Sequence, residues 1–336
     1  MSPTSLPHAE SRWPHRVAWV LACTTFPLIW VGAFVTTTDA GMAFRDWMTS
    51  DGTFFLIYDW LGSAGDKFTE HGHRLLGAAA GFLSIALVAV TWRVEKRDWV
   101  RWFSVGILAA VIGQGVLGGM RVVLDERTLA MIHGCTGPLF FSLCVAMVVF
   151  TSRRWAKGPT KDPQSQLGGL NRLAWATFGL SYCQLMVGAA VRHSPMMLNE
   201  AAASMFRAAV YFHVLLALVI SGHALWLAAR SLRCPGNRRL GLAVGGLVGV
   251  QFALGIGTWV VKYGVPEWGS RIIGEPTFVN TVSSGLLAGI VTTHVAVGSL
   301  ILVTSLTAAL FTSRELGHET SWSRRQMLGQ TGGAVA

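Results

Sequence analysis

Eight long runs of apolar residues alternate with short polar segments along this chain. The runs lie near 17–36, 74–92, 102–120, 134–152, 173–191, 209–229, 240–261 and 287–313. A helix rises about 1.5 Å per residue, so runs of this length approach or exceed what is needed to cross the roughly 30 Å hydrocarbon core of a bilayer. The pattern predicts an all-α integral membrane protein with eight transmembrane helices.

The composition agrees with a membrane protein, and the placement of the charges argues against a nucleic-acid-binding protein. Hydrophobic residues make up 52% of the 336 residues and charged residues only 13%, which is too apolar for an ordinary soluble domain. The net charge of +10 would suit a nucleic-acid-binding protein, but the surplus cations collect in short loops beside no nucleic-acid motif. We therefore expect contact with membrane lipid and no contact with nucleic acid.

The distribution of Lys and Arg predicts the orientation in the membrane. All 27 can be assigned to tails, connections or ends of the predicted helices, so that none has to lie at mid-membrane depth. Most of them fall on the side that carries both termini. Because short cytoplasmic loops are enriched in Lys and Arg, we predict that both termini are cytoplasmic.

The alternate predicted helices carry two repeated patterns. Four of them begin with histidine, in HRLLGAAAG, HGCTGPLFF, HVLLALVIS and HVAVGSLIL, and an Arg ends each run. Three of the others carry Gln-x-x-x-Gly, at Gln114–Gly118, Gln184–Gly188 and Gln251–Gly255, and the first helix has a degenerate version around Trp30 and Gly32. Such internal similarity predicts two pseudo-repeated four-helix bundles. The predicted organisation is an N-terminal half at 1–155, a cytoplasmic linker at 156–169, a C-terminal half at 170–314 and a cytoplasmic tail at 315–336.

Two further features concern packing and loops. Gly77 with Gly81, and Gly115 with Gly119, lie four residues apart, a spacing that permits close approach of two helices. We interpret these glycines as packing residues. The first outward connection, about 37–70, is long and rich in aromatic and acidic residues, and loops of that length are often functional, here as a lid.

The four histidines that begin alternate helices, His73, His133, His213 and His294, lie at one predicted depth. Neutral imidazole binds haem iron through a ring nitrogen, and imidazoles from two facing helices can supply both axial ligands. A lone intramembrane histidine is as often a hydrogen-bonded packing residue. Four in register, two in each half, favour one facing pair of haem ligands per half. The other histidines, including His193 at the end of a helix, are expected to be solvated or to pack locally.

Glu70 is the leading catalytic candidate. Helical geometry places Glu70 and His73 near one face and His71 roughly opposite. A carboxylate one turn from an iron ligand could take or deliver protons, since burial would raise its pKa toward the working range. The alternative is an interfacial ion pair between Glu70 and Arg74, four residues later.

Haem propionates need cationic or hydrogen-bonding partners. Cations near the outer helix ends are the candidate contacts, namely Arg74, Arg121, Arg192, Arg207 and Lys262. The same residues could equally be ordinary interfacial anchors.

Several motifs taken together resemble the haem A synthase family. They are TDAGMAFRDW at 38–47, EHGHRLLG at 70–77, QGVLGGMRVV at 114–123 and IHGCTGP at 132–138, with His213 and His294 in the second half. The resemblance covers essentially the whole membrane region. It implies substrate haem O between His73 and His133, a haem b cofactor between His213 and His294, and Glu70 as the catalytic glutamate.

The resemblance also implies an activity and partners. The chain would be a membrane oxidoreductase that oxidises the ring methyl of haem O to a formyl group, giving haem A for cytochrome oxidase. Haem O synthase would supply the substrate, cytochrome oxidase assembly would receive the product, and the bacterial plasma membrane would be the location, with homo-oligomerisation left open. The residues by themselves leave one alternative, a dihaem b-type membrane electron-transfer protein in which both haems are permanent.

Overall fold

A computed structural model describes residues 11–157, 164–193, 200–263 and 285–331, and their side chains except those of 164–166, 200–202, 262–263 and 318–331. Eight helices within these ranges are long and apolar enough to span a membrane. They are α1 Trp13–Thr37, α2 Gly65–Val94, α3 Asp98–Val123, α4 Arg127–Phe150, α5 Gln164–His193, α6 Glu200–Leu232, α7 Arg238–Tyr263 and α8 Gly285–Thr331. The predicted all-α membrane fold is confirmed, and the protein is a multi-pass membrane protein.

Helix α2 begins more than two turns before its apolar run. Its first turns are amphipathic, with Asp66 and Lys67 exposed and Glu70 and His71 buried. Because apolar length was the signal used, the sequence prediction began this helix too late. The extension places Glu70 on the same helix as His73.

The four helices of each half pack in the same cyclic order. Helix α1 contacts α2 and α4, and α3 completes the ring between them. Helix α5 likewise contacts α6 and α8, and α7 completes the second ring. Helix α8 joins the halves by packing on α1 and α4, and α4 also contacts α5. This arrangement agrees with two four-helix bundles, while the pseudo-repeat and the domain boundaries stay predictions.

Each half is packed tightly at the end remote from the four histidines. Leu21, Leu87, Ile107 and Met147 are fully buried together in the N-terminal half, and Leu170, Leu227 and Ala309 in the C-terminal half. Lipid is as apolar as these side chains, so close packing rather than removal from water holds the helices together. The helices are closely packed at this end, so a cavity can form only toward the end that carries the four histidines.

The connection between α1 and α2, residues 38–64, is folded, and we refer to it as the cap. It contains a hairpin of strands β1 Thr49–Ser50 and β2 Thr53–Phe54, in antiparallel register. Asp51 and Gly52 between the strands have φ values of 51° and 77°, the positive values that a type I′ turn requires. The Asp-Gly pair was a sequence signal for this hairpin, although the sequence analysis predicted only a long loop.

Arg74 and Trp47 attach the cap to the N-terminal half. The Arg74 guanidinium on α2 donates to the backbone carbonyls of Asp46 at 3.0 Å and Thr49 at 2.8 Å. The Trp47 indole packs so closely against Gly119 of α3 that any side chain there would collide with it. The cap is thereby held across α2 and α3.

Asp46 stabilises the hairpin turn. Burial raises the pKa of its carboxyl, but hydrogen bonds from the Gly52 N–H, at 2.9 Å, and the Thr49 side chain outweigh burial and hold the pKa below its ordinary value. A carboxyl with a lowered pKa stabilises the fold above its unfolded pKa, about 3.9, and ceases to do so as pH falls through the folded value. The turn is therefore fully stabilised at neutral pH.

An ion pair joins the two halves at the end remote from the cap. Arg154, just after α4, donates to Glu315 of α8 at 3.0 Å and to the Asn237 side chain at 3.1 Å. Its guanidinium also lies 4.1 Å from the centre of the Phe311 ring. The Glu315 side chain is only 3% exposed, so its charge depends on this pairing.

Replacing Glu315 with Ala should destabilise the protein by about 1–3 kcal/mol, because Arg154 loses its charged acceptor in a largely buried place. Thermal unfolding in one detergent measures the effect. Asp98→Ala is the matched control, since its pair with Arg101 is exposed and its loss should change stability by no more than about 0.5 kcal/mol. Equal effects of the two changes would contradict a joining role for the buried pair.

Candidate functional site

A cavity of about 1150 Å³ lies beneath the cap. All eight membrane helices contribute to its wall, and Trp47, Met48 and Phe55 of the cap cover it. The four predicted haem ligands, His73, His133, His213 and His294, line it together with Glu70, Arg74, Arg121 and Arg192. Its volume exceeds the roughly 300–1,000 Å³ of an ordinary small-molecule pocket. The fold thus brings most of the predicted site residues to the wall of one cavity.

His73 and His133 face each other across the N-terminal half of this cavity. Their ring centres lie 6.4 Å apart and their planes are nearly perpendicular, at 88°. A metal–imidazole bond of about 2.0–2.1 Å, as found for zinc, plus roughly 1 Å from nitrogen to ring centre implies a separation of roughly 6 Å for two axial imidazoles. The observed spacing therefore fits a shared metal ion between the rings.

His213 and His294 form the corresponding pair in the C-terminal half. Both rings line the cavity, and they are close enough to interact electrostatically. In all four histidines the Nδ1 atom is buried out of reach of the cavity. A ligand in the cavity would therefore meet the other ring nitrogen, Nε2.

A glycine on the preceding helix provides the space for each imidazole. A Cβ atom would lie 2.7 Å from the His73 ring at Gly32, 3.1 Å from His133 at Gly118, 3.0 Å from His213 at Gly188 and 3.4 Å from His294 at Gly255. Three of these glycines end the Gln-x-x-x-Gly repeat found in the sequence, and Gly32 belongs to its degenerate version. The repeat thus has a steric cause that sequence reasoning did not identify.

The glutamines of the repeat distinguish the two halves. Gln184 lies 3.3 Å from the His213 ring and donates to the His213 carbonyl at 2.9 Å, and Gln251 lies 3.4 Å from the His294 ring. In the N-terminal half, Gln114 donates instead to the Thr136 hydroxyl. The C-terminal rings are therefore contacted by side-chain amides, and the N-terminal ring of His133 has no such contact within the described residues.

Glu70 is almost completely buried, at 1% exposure, and lines the cavity beside His73. One carboxylate oxygen accepts from Arg74 at 2.8 Å, which is the ion pair that the alternative interpretation predicted. The other oxygen accepts from the Phe44 backbone N–H of the cap at 3.2 Å. The carboxylate therefore contacts the cap, helix α2 and the cavity at once. An ion pair that only anchored the helix at the membrane interface would need neither the burial nor the contact with the cap.

His71 and His73 have different environments despite being neighbours. His71 points away from the cavity: its Nδ1 atom lies 3.0 Å from the Ser50 hydroxyl and its ring centre 4.7 Å from that of Tyr58. His71 therefore holds the cap. The opposite orientation of the two rings agrees with the helical geometry used in the sequence analysis.

His193 was missed by sequence reasoning. The side chain was expected to be solvated, but it is partly buried and lines the cavity near the junction of the two halves. Its Nδ1 donates to the Ala189 carbonyl at 2.9 Å. The expectation was wrong because α5 ends beneath the cap and against α4, which sequence position did not indicate.

The predicted propionate contacts fall into distinct groups. Arg74, Arg121 and Arg192 line the cavity, whereas Arg207 is exposed and does not contribute to the described wall. The side chain of Lys262 lies outside the described residues. The structure therefore brings three of the five predicted cations together.

The three arginines that line the cavity differ in how many hydrogen bonds their guanidinium groups already donate to the protein. Arg74 is committed to Glu70 and to the cap. Arg192 donates to the Ala33 carbonyl and the Thr37 hydroxyl of α1. Arg121 lies beneath Gly41 of the cap and acts electrostatically on both N-terminal histidines.

Residues 62–268 match a family model described as COX15-CtaA, cytochrome oxidase assembly protein. This match covers more than half of the chain and includes His73, His133 and His213. The chain belongs to the COX15-CtaA family. Family membership confirms the resemblance that the sequence motifs indicated.

Three curated relatives are named heme A synthase. The chain is 30% identical over 172 residues to that of Symbiobacterium thermophilum, covering 49% of this chain and 54% of the relative. It is 22% identical over 218 residues to that of Hyphomonas neptunium, covering 57% and 62%. It is 27% identical over 155 residues to that of Rhizobium rhizogenes, covering 44% and 42%. The chain therefore spans about half the length of the curated relatives it matches.

Replacing Gly32 with Ala should displace the His73 ring, because the new methyl group would lie within 2.7 Å of it. We expect haem binding by the N-terminal pair to weaken roughly tenfold, corresponding to about 1.4 kcal/mol. Absorbance titration with haem measures this loss. Gly113→Ala on the exposed surface of α3 is the control, since no atom of the described residues lies within 4 Å of the new methyl group. Unchanged binding by the Gly32 variant would contradict the steric role.

Proposed function

We propose that this protein is a haem A synthase, an oxidoreductase that converts the ring methyl of haem O to a formyl group. The observation that carries the proposal is a buried carboxylate, Glu70, beside one of two facing histidine pairs in a capped intramembrane cavity. Its family membership and the names of its curated relatives support the same activity.

The two pairs are proposed to hold different haems. His73 and His133 would hold substrate haem O, and His213 and His294 would hold a resident haem b. The position of all four rings in the cavity wall and the 6.4 Å separation of the first pair support iron ligation by these histidines. The amides of Gln184 and Gln251 would fix the C-terminal rings, which suits a permanent cofactor. When bound, haem b would supply electron transfer.

Glu70 is proposed to accept protons released as the substrate methyl group is oxidised, a four-electron conversion in which water supplies the formyl oxygen and the electrons leave to an external acceptor. Its carboxylate lies at the cavity wall within one helical turn of His73, where a proton acceptor is needed. Arg74 fixes the carboxylate at 2.8 Å and also holds the cap. Trp47, Met48 and Phe55 would exclude bulk water above the reacting group.

Arg121 is the leading propionate partner in this proposal. It lines the same cavity and acts electrostatically on both N-terminal rings, and no ion pair engages its guanidinium within the described residues. A propionate would supply the charged acceptor that such a cation favours. Arg74 and Arg192 already donate to protein groups, so their contribution would be secondary.

The location and partners follow from the same proposal. The excess of Lys and Arg on the side of the termini supports cytoplasmic termini and a bacterial plasma membrane. The cap and cavity would then face outward. Haem O synthase would supply the substrate, and cytochrome oxidase assembly would receive haem A.

Co-expression with a haem O synthase, in a host that makes no haem A, tests the activity. We expect haem A or its hydroxylated precursor in the extracted haem, identified by chromatography and mass. A folded protein that carries two b haems while haem O stays unchanged would instead establish the electron-transfer alternative.

Replacing Glu70 with Ala should abolish haem A formation while most bound haem is retained, because the histidine ligands remain. The readouts are the extracted haem A and the haem content of the purified protein. Asp66→Ala is the matched control, since Asp66 is an exposed acidic residue one turn earlier on α2. Normal haem A yield from the Glu70 variant would remove this residue from the mechanism.

A further inference from the structure

The cavity of the N-terminal half extends into a groove between α2 and α3. Gly77 and Ala78 of α2 and Val111 and Gly115 of α3 line it, so its wall carries no charge. Gly115 lines the cavity, whereas Ile112, one turn earlier, and Val116, the next residue, are exposed and lie outside the cavity wall. Gly115 therefore lies at the boundary between the cavity and the outer surface of α3, which faces lipid.

The glycines of this groove do not pack against a neighbouring helix. A Cβ atom at Gly77, Gly81 or Gly115 would have no atom of the described residues within 4 Å. The prediction that these three glycines allow close approach of another helix is therefore wrong, and Gly119 packs against Trp47 of the cap rather than against a helix. The space beside these three glycines is open because they have no side chains to fill it.

The corresponding positions of the C-terminal half carry larger side chains. Counted from the first ligand histidine of each half, Ala217 and Leu218 correspond to Gly77 and Ala78. Counted from the glutamine of the repeat, Phe252 corresponds to Gly115. Leu218 and Phe252 line the cavity, where the smaller Ala78 and Gly115 of the N-terminal half leave more space.

The N-terminal groove leads from the His73–His133 pair, whose rings line the cavity with their centres 6.4 Å apart. Charged groups lie on the cap side of this pair, at Glu70, Arg74 and Arg121. A ligand held by the two rings would thus meet polar groups on one side and an uncharged channel to lipid on the other.

We propose that the groove between α2 and α3 holds the long isoprenoid tail of haem O, with Gly77 and Gly115 as specificity-determining residues. The tail would run between the helices toward the bilayer, where its burial requires no polar partner. Leu218 and Phe252 occupy the equivalent space in the C-terminal half, which suits haem b because haem b has no such tail. This inference rests on the proposed function.

The test uses full-length protein that retains its C-terminal haem, titrated separately with haem O and haem B. Gly115→Phe and Gly77→Leu place large side chains in open space, so the fold should tolerate them. We expect each to weaken haem O binding roughly tenfold or more, because the tail loses its apolar contacts, and to leave haem B binding nearly unchanged. Gly113→Phe, on the exposed surface of α3 and outside the cavity wall, is the matched control.

The outcomes separate the groove from the proposed function. Equal weakening for both haems, or none for haem O, would overturn the tail assignment while leaving the proposed activity standing. The unmodified protein should bind haem at the N-terminal pair, and His73→Ala should lose that binding. If the His73→Ala variant binds both haems as well as the unmodified protein does, the substrate site itself is overturned, and with it this inference.

Discussion

The close approach of four imidazole rings to four glycines is the constraint on which the site depends. A histidine in the bilayer is tolerated when its nitrogens face a partner or a polar cavity rather than lipid. Gly32, Gly118, Gly188 and Gly255 let neighbouring helices bring the rings to the cavity without a steric conflict. The 6.4 Å separation of His73 and His133 is a consequence of that close packing.

The two halves share this geometry and differ in what surrounds it. The C-terminal rings are contacted by glutamine amides, and Leu218 and Phe252 stand where the N-terminal half has Ala78 and Gly115. The N-terminal pair has a buried carboxylate, a cap and open space beside Gly77 and Gly115. The smaller side chains and the carboxylate of the N-terminal half agree with its proposed role as the substrate site.

Arg74 connects the cap to the proposed chemistry. The same guanidinium binds the Glu70 carboxylate and the cap carbonyls of Asp46 and Thr49. The position of the carboxylate and the closure of the cap therefore depend on one side chain. Movement of the cap would alter the environment of Glu70, which couples access to the cavity with the state of the proposed proton acceptor.

The eight spans could be predicted from the amino-acid sequence alone, because a bilayer imposes a minimum apolar length that is recognisable in the chain. The sequence also identified Glu70 and the four histidines as candidates, since few polar residues lie at that depth. Only the folded protein shows which groups meet: His193 lines the cavity, Arg207 does not, and Gly77 and Gly115 border open space rather than another helix. Those outcomes depend on how helices distant in sequence are rotated against one another, and no local pattern records that rotation.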